Sequence, residues 1–334
     1  MREWEALFDR RGETRAWYLK KSDPPDESGG TQLSREDPNW PRASQWLAQR
    51  RSGPAALSVL GIPMNSAGTQ GQCELAPAAI RQALDRYGLY DPGAGIDLTS
   101  LSAADFGDAV LTGGSVEEVF FRTVQSIKKA AANSAATVLL GGDSAMTYPA
   151  LHALNLPFAR CGLLTFDAHY DVRDLEGGPT PGNAIRALLR AGLPGSNIIQ
   201  IGIQPFANSA ACAQVAHDSS ITVLTADEAQ ARGIESAVSD ALELLAAKTD
   251  AIYVNLDMDV LDRAFAPACA GSRPGGLPPW MLRRAAYLCG AHPSVRIIDI
   301  VEVDPAKDTA DCTVLAAASF FLAFASGFAQ RLKS

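Results

Sequence analysis

The sequence predicts a three-layer α/β/α fold around a central, mainly parallel β-sheet, and three observations predict it. Short apolar runs recur along the chain, at 56–63, Thr137–Leu140, Cys161–Phe166, Ile198–Ile203, Ala251–Leu256 and Val295–Val301. Helical stretches separate them, at Ala76–Tyr87, Val116–Asn133, Ala184–Ala191, Ala226–Arg232, Ser236–Lys248 and Pro279–Leu288. Several of the apolar runs stop at an acid. Apolar strands of this length with helices between them form a parallel sheet covered on both faces.

Residues 1–54 read as an N-terminal arm, since 21–45 are rich in Asp, Ser, Pro and Gly and show no period. The remainder, 55–334, reads as one domain, a size that α/β folds reach undivided. After the first strand comes a Gly/Ser/Gln-rich loop from Asn65 to Gln72. A helix then opens at Ala76-Pro77, with proline in the first turn. Thr137–Leu140 runs into Gly141-Gly142-Asp143, Cys161–Phe166 into Asp167, Ala251–Leu256 into Asp257 and Val295–Val301 into Glu302. The final apolar stretch, Thr313–Phe328, is broken by Ser and Gly and reads as a buried terminal helix. No stretch reads as long and apolar enough to span a bilayer.

Composition narrows the function. Apolar residues make up 47% and charged residues 20%, enough for a core and against disorder. A net charge of −8 argues against nucleic acid or an anionic membrane as a partner, because both reward clustered Lys and Arg. The six cysteines are scattered with no Cys-x-x-Cys pair, which argues against a zinc knuckle or a disulfide scaffold. Met1–Lys20 is charged and holds no apolar signal segment, so a cytoplasmic location is the expectation.

The acids carry the chemistry. In open α/β sheets, ligands bind outside the carboxyl ends of the strands. Asp143, Asp167, Asp257 and Glu302 all follow strands and are expected at that edge. In Asp167-Ala168-His169-Tyr170-Asp171, extended backbone puts Asp167 and His169 on one face, and Asp171 can fold back from the loop. In Asp257-Met258-Asp259, followed by Asp262, the same alternation pairs Asp257 with Asp259. Carboxylates gathered this way repel unless a cation sits among them. Carboxylate and imidazole without sulfur suit manganese, and bridging carboxylates hold two metals roughly 3.5 Å apart with an activated water between them. The competing reading is structural: aspartates commonly end strands as helix caps and turn formers.

These motifs resemble the signatures of the arginase, agmatinase and formimidoylglutamase family. The first is Asp167-Ala168-His169-Tyr170-Asp171, and the second runs from Asn255 to Asp262. The resemblance continues through Ala264-Phe265-Ala266-Pro267, Pro274-Gly275-Gly276-Leu277 and Val301-Glu302-Val303-Asp304-Pro305. Nearer the start it includes Gly61-Ile62-Pro63 and the helix at Ala76-Pro77. It implies an arginase-like fold, a two-manganese site and hydrolysis of a C–N bond in a guanidino or formimidoyl small molecule. It also implies a homo-oligomer, trimer or hexamer. By position, the resemblance implies that Asp167 and Asp257 bridge the metals, that Asp171 completes the ligand set of the first metal, and that His169 and Asp259 complete that of the second. Asp259 also stabilises the tetrahedral intermediate and shuttles a proton, and Glu302 faces the cationic end of the substrate.

Two departures stand out. The family's Gly-Gly-Asp-His-Ser signature reads Gly141-Gly142-Asp143-Ser144-Ala145 here, so Ser144 replaces a metal-binding histidine. One metal, or an asymmetric pair, is therefore an alternative to two. His152 cannot substitute, being eight residues along, about 12 Å of helical rise. The loop histidine of many members is also missing from Thr180–Arg186. His217 and His292 read as surface residues. The run from Gly192 to Ile203 and the segment Phe206-Ala207-Asn208-Ser209 look most like formimidoylglutamases. Arg186 is a candidate for holding a substrate carboxylate, against the bland reading of a solvated helix residue. Two further readings remain: a ureohydrolase retuned to arginine, agmatine or guanidinobutyrate, and a non-catalytic homologue that serves as a scaffold.

Overall fold

The computed structural model describes residues 37, 39–49, 53–66 and 71–333. In chain order the elements are α1 (Ala43–Ala48), β1 (Leu57–Ile62), α2 (Ala76–Ala83), β2 (Tyr90–Asp91), β3 (Ile96–Asp97), β4 (Ala103–Asp108), α3 (Val116–Ala131), β5 (Ala136–Gly141), α4 (Thr147–His152), β6 (Cys161–Phe166), α5 (Ala184–Arg190), β7 (Ile198–Ile203), α6 (Ala210–Asp218), β8 (Thr222–Thr225), α7 (Ala226–Arg232), α8 (Ile234–Ala246), β9 (Ala251–Asp257), α9 (Pro279–Ala291), β10 (Val295–Val301) and α10 (Cys312–Arg331). Eight strands form one sheet in the order β4-β1-β5-β10-β9-β6-β7-β8. Every pair in it is parallel. The expected α/β/α fold with its mainly parallel sheet is the observed one.

Alternation along the strands builds the two faces. Val138 and Leu140 of β5 join one apolar cluster, and Leu139 between them joins the other. The larger cluster holds four phenylalanines of α10: Phe320, Phe321, Phe324 and Phe328. At 20 residues and mean hydropathy 1.9, α10 is long and apolar enough to cross a membrane, which corrects the shorter span read from the sequence. The helix extends past the apolar run at both ends. In the fold, 72% of its most apolar window is buried against the protein.

The compact body begins at Trp40 rather than at residue 55. Within the segment assigned to an arm, α1 packs into the core through Trp46 and Leu47, and the Trp46 indole donates to the Leu101 carbonyl at 3.0 Å. Residues 1–36 of that expected arm, and 67–70 of the expected Asn65–Gln72 loop, lie outside the described residues. The helix expected over Ala76–Tyr87 changes to a 3₁₀ turn at Leu84–Arg86. The edge strands β4 and β8 had not been expected.

Register positions the site. Phe166 of β6 pairs with Leu256 of β9, and Asp257 pairs with Val301 of β10. Asp167, Asp257 and Glu302 therefore leave three adjacent strands at the same level, on the carboxyl edge of the sheet.

Candidate metal centre

Asp167 follows β6 and is 2% exposed. One of its oxygens accepts the His169 backbone N–H at 2.6 Å. That turn brings the His169 ring round, so that Nδ1 lies 2.8 Å from Asp259 Oδ2 and 3.5 Å from Asp167 Oδ1. Asp259 reaches across from the end of β9, and its other oxygen accepts the Ala168 N–H at 3.1 Å. Asp257 caps the short turn Met258–Val260 by accepting the Asp259 N–H at 2.8 Å. Capping does not disperse these carboxylates: the turns they shape bring them together. Ligand atoms of Asp167, His169 and Asp259 all lie within 4.8 Å of one another. Asp171 has φ 52°, in the left-handed region, which folds it back beside Asp167. Glu302, at φ 67°, accepts the Ser144 N–H at 2.8 Å.

Asp143 stands at this edge but aims elsewhere. One oxygen accepts from the backbone and hydroxyl of Ser66, the other from the Ala145 N–H at 3.2 Å. Arg186 ties down the loop that holds Asp171: its Nε donates to the Val172 carbonyl at 3.0 Å and its backbone N–H to the Asp171 carbonyl at 3.1 Å. Asp262 also closes turns, accepting from Ala264 and Gly275. His217 is exposed. His152 is packed among the rings of Phe120, Tyr148 and Phe158.

Several contributors escaped the sequence reading. Asn208 clamps the first acid turn, accepting from Tyr170 N–H at 3.0 Å and donating to the Ala168 carbonyl at 2.9 Å. Gly271 lies flat against the centre, and a Cβ there would sit 2.0 Å from Asp259 Oδ2 and 3.0 Å from the His169 ring. Arg273 Nη1 lies 2.9 Å from His169 Nε2 and donates to the Gly271 carbonyl at 2.6 Å. Cys269 is buried within electrostatic reach of Asp257, Asp259 and Glu302. A basic residue eleven positions past Asp262, the last motif aspartate, was the only available signal for Arg273, and for Gly271 there was none.

The electrostatics call for a cation. Burial, then the Asp259 charge, lifts the Asp167 carboxyl to about 6. Burial, then Asp143, lifts Glu302 to about 8. Asp257 and Asp171 are pushed well above the usual carboxylate range by burial and by their acidic neighbours. Burial also works to raise Asp259, but its bonds to His169 and the Ala168 N–H overcome that and leave it lowered. Burial works to lower His169, yet Asp167 and Asp259 hold its proton up to about 11. One imidazole cannot neutralise so many carboxylates, whereas divalent cations can. The donors are oxygen and imidazole nitrogen, a set that suits manganese. The Cys269 thiol is pushed up by burial and stays protonated, so it offers no thiolate to a softer metal. A cavity of about 930 Å³ is lined by Met64, Ser66, Glu74, Ala145, Tyr148 and Pro179, among others.

Comparison with known proteins agrees with this geometry. A formimidoylglutamase of Halalkalibacterium halodurans is 33% identical over 287 residues, covering 84% of this chain and 89% of the relative. That of Bacillus subtilis is 33% identical over 282 residues, covering 83% and 88%. The crystal structure of the Bacillus subtilis formimidoylglutamase superposes with a TM-score of 0.83 at 30% identity, covering 90% of this chain and 95% of that one. A Trypanosoma cruzi formiminoglutamase, whose crystal structure is described with Mn2+2, superposes with a TM-score of 0.80 at 24% identity, covering 87% and 99%, and shows the shared fold. Residues 55–326 match the arginase family over most of the chain, and the chain belongs to that family.

Proposed function

We propose that this protein is a manganese-dependent hydrolase of linear amidines that releases formamide from N-formimidoylglutamate. The observation that carries the reading is the set of buried carboxylates around His169 with too few hydrogen-bond donors to satisfy it. Family membership and 33% identity to formimidoylglutamases support the substrate.

Asp167, His169, Asp171, Asp257 and Asp259 are the residues that would hold the metal. Manganese bound there supplies Lewis acidity and makes a water acidic enough to attack near neutral pH. The protein's own share is positioning and proton handling. Glu302, fixed by the Ser144 N–H, offers a carboxylate to the cationic amidine. Asp259, whose other oxygen is steadied by the Ala168 N–H, would take up and return a proton as the carbon becomes tetrahedral. The leaving nitrogen gains that proton, the C–N bond breaks, and the products are formamide and glutamate. We further propose that the chain works as a homo-oligomer, a trimer or hexamer.

The direct test supplies manganese-loaded protein with formimidoylglutamate, arginine, agmatine and guanidinobutyrate and measures formamide and urea. Formamide release with the first substrate in clear excess is the expected result. Turnover of a guanidino compound instead would replace the substrate, and no product from any of the four would leave the scaffold reading.

A further inference from the structure

We propose that Arg273 grips the α-carboxylate of the substrate and so selects amidines whose carboxylate sits on the carbon bearing the reacting nitrogen. The inference rests on the hydrolase reading above. It starts from where the guanidinium is held. Nη1 contacts His169 Nε2 at 2.9 Å and the Gly271 carbonyl at 2.6 Å, while Nδ1 on the other side of the same imidazole faces Asp167 and Asp259. The cation therefore stands one ring away from the centre of the acids. Both contacts use Nη1. Among the described residues, Nε and Nη2 make no hydrogen bond and the guanidinium no ion pair. That Nε/Nη2 edge is one that can receive the two oxygens of a carboxylate side by side.

The support beneath it is stiff. Arg273 bridges to Asp262, and its carbonyl accepts the Arg263 N–H at 3.1 Å. Asp262 in turn closes the turns at Ala264 and Gly275, at 2.8 and 2.6 Å. Gly271, two residues before the arginine, is wedged against Asp259 and His169. The loop is thus fixed to the ligands themselves, which is how a recognition group is held to the tolerance that specificity needs.

Substrate chemistry then decides which carboxylate fits. In N-formimidoylglutamate the α-carboxylate is attached to the carbon that carries the amidine nitrogen, and in guanidinoacetate the same is true. In arginine and guanidinobutyrate a run of methylenes separates the two groups, and agmatine has no carboxylate. A guanidinium held against His169 is closer in reach to a carboxylate on the carbon bearing the amidine nitrogen than to one several methylenes away. Arg186, the other basic candidate, has its Nε on the Val172 carbonyl.

Arg273→Gln and Arg273→Lys, assayed with manganese per chain measured alongside, test this. For formimidoylglutamate and guanidinoacetate, kcat/KM should fall about 50-fold in Arg273→Gln, the size of a lost charge-assisted pair, with the loss mainly in KM. Arg273→Lys should recover part of it. Turnover of agmatine or guanidinobutyrate, which present no near carboxylate, should fall at least about tenfold less than that of formimidoylglutamate. Calorimetric titration with L-glutamate gives a readout free of turnover, and the glutamine variant should bind it at least about tenfold more weakly than the parent. An equal loss on all substrates, an unchanged KM and glutamate affinity, or a parent that does not bind glutamate would each overturn the proposal. If the parent hydrolyses no amidine, the hydrolase reading fails, and the glutamate titration alone still decides the role of Arg273.

Discussion

Asp257 and Asp299 lie on neighbouring strands and are almost equally buried, at 2% and 0% exposure, yet they are answered in opposite ways. Asp299 accepts from Asn255 Nδ2 at 2.9 Å, Leu256 N–H at 3.2 Å, Thr147 Oγ1 at 3.2 Å and the Tyr253 hydroxyl. Among the described residues, Asp257 accepts only from the Asp259 N–H, and it faces Asp259, Asp167 and Glu302. Burial alone does not distinguish a structural acid from a functional one. The donor count does: protein groups answer Asp299, and among the described residues Asp257 is left short of them.

The sharpest way to break this comparison is to exchange the phenotypes. Asp257→Ala should abolish manganese binding and hydrolysis while the protein stays folded, since it removes repulsion along with a ligand. Retained metal stoichiometry would end the bridging role given to Asp257. Asp299→Ala should do the reverse, lowering unfolding free energy by about 3 kcal/mol as buried donors lose their acceptor, with metal binding kept wherever the fold survives. Loss of metal without loss of stability would make Asp299 part of the centre.

A smaller effect separates the two by pH. Burial, against the pull of its donors, raises Asp299 to about 6. An unfolded aspartate titrates near about 3.9, so between these values the folded state holds the extra proton. Stability contributed by Asp299 is therefore present at low pH and declines as pH rises from about 4 to about 6, at roughly 1.4 kcal/mol per pH unit. Asp299→Asn should flatten that part of the stability curve relative to the parent, measured by urea unfolding. Identical slopes would show that Asp299 titrates as an ordinary carboxyl.

Much of this was legible in the sequence, for physical reasons that also mark where reading stopped. The six central strands are buried on both faces, so their residues form plain apolar runs, and β6, β7 and β10 begin and end where those runs do. Edge strand β4 carries Asp105, Gly107 and Asp108, and β8 is largely unburied, so neither shows such a run. Helix α1 is short and set among polar residues, yet Trp46 anchors it. Asp167, Asp257 and Glu302 were legible because each stands at a strand end, and Asp259 and Asp171 because they follow two and four residues later. Asp143 ends a strand too, but it serves Ser66 and Ala145, and no sequence rule separates those fates. Asp299, an acid inside an apolar strand, was not singled out, because its donors come from β9 and α4 and appear only in the fold. Arg273 comes from a loop, where contacts depend on the whole fold.

Position 144 offers the finest test of how completely the centre is built. Its two halves differ: Asp167, His169 and Asp259 converge within 4.8 Å, whereas the side of Asp171 and Glu302 has Ser144 where the sequence resemblance leads one to expect an imidazole. Ser144 is 2% exposed, and its N–H steadies Glu302, so the backbone is already set for a ligand that the side chain does not supply. Ser144→His should tighten manganese on that half by about tenfold, read by titrating metal per chain, at a cost of about 1–3 kcal/mol for forcing a ring into a packed site. Tighter binding with the destabilisation would mean that the first half lacks only its imidazole. Destabilisation without tighter binding would mean that the serine does not occupy a ligand position, and that the asymmetry between the halves lies in Asp171 instead.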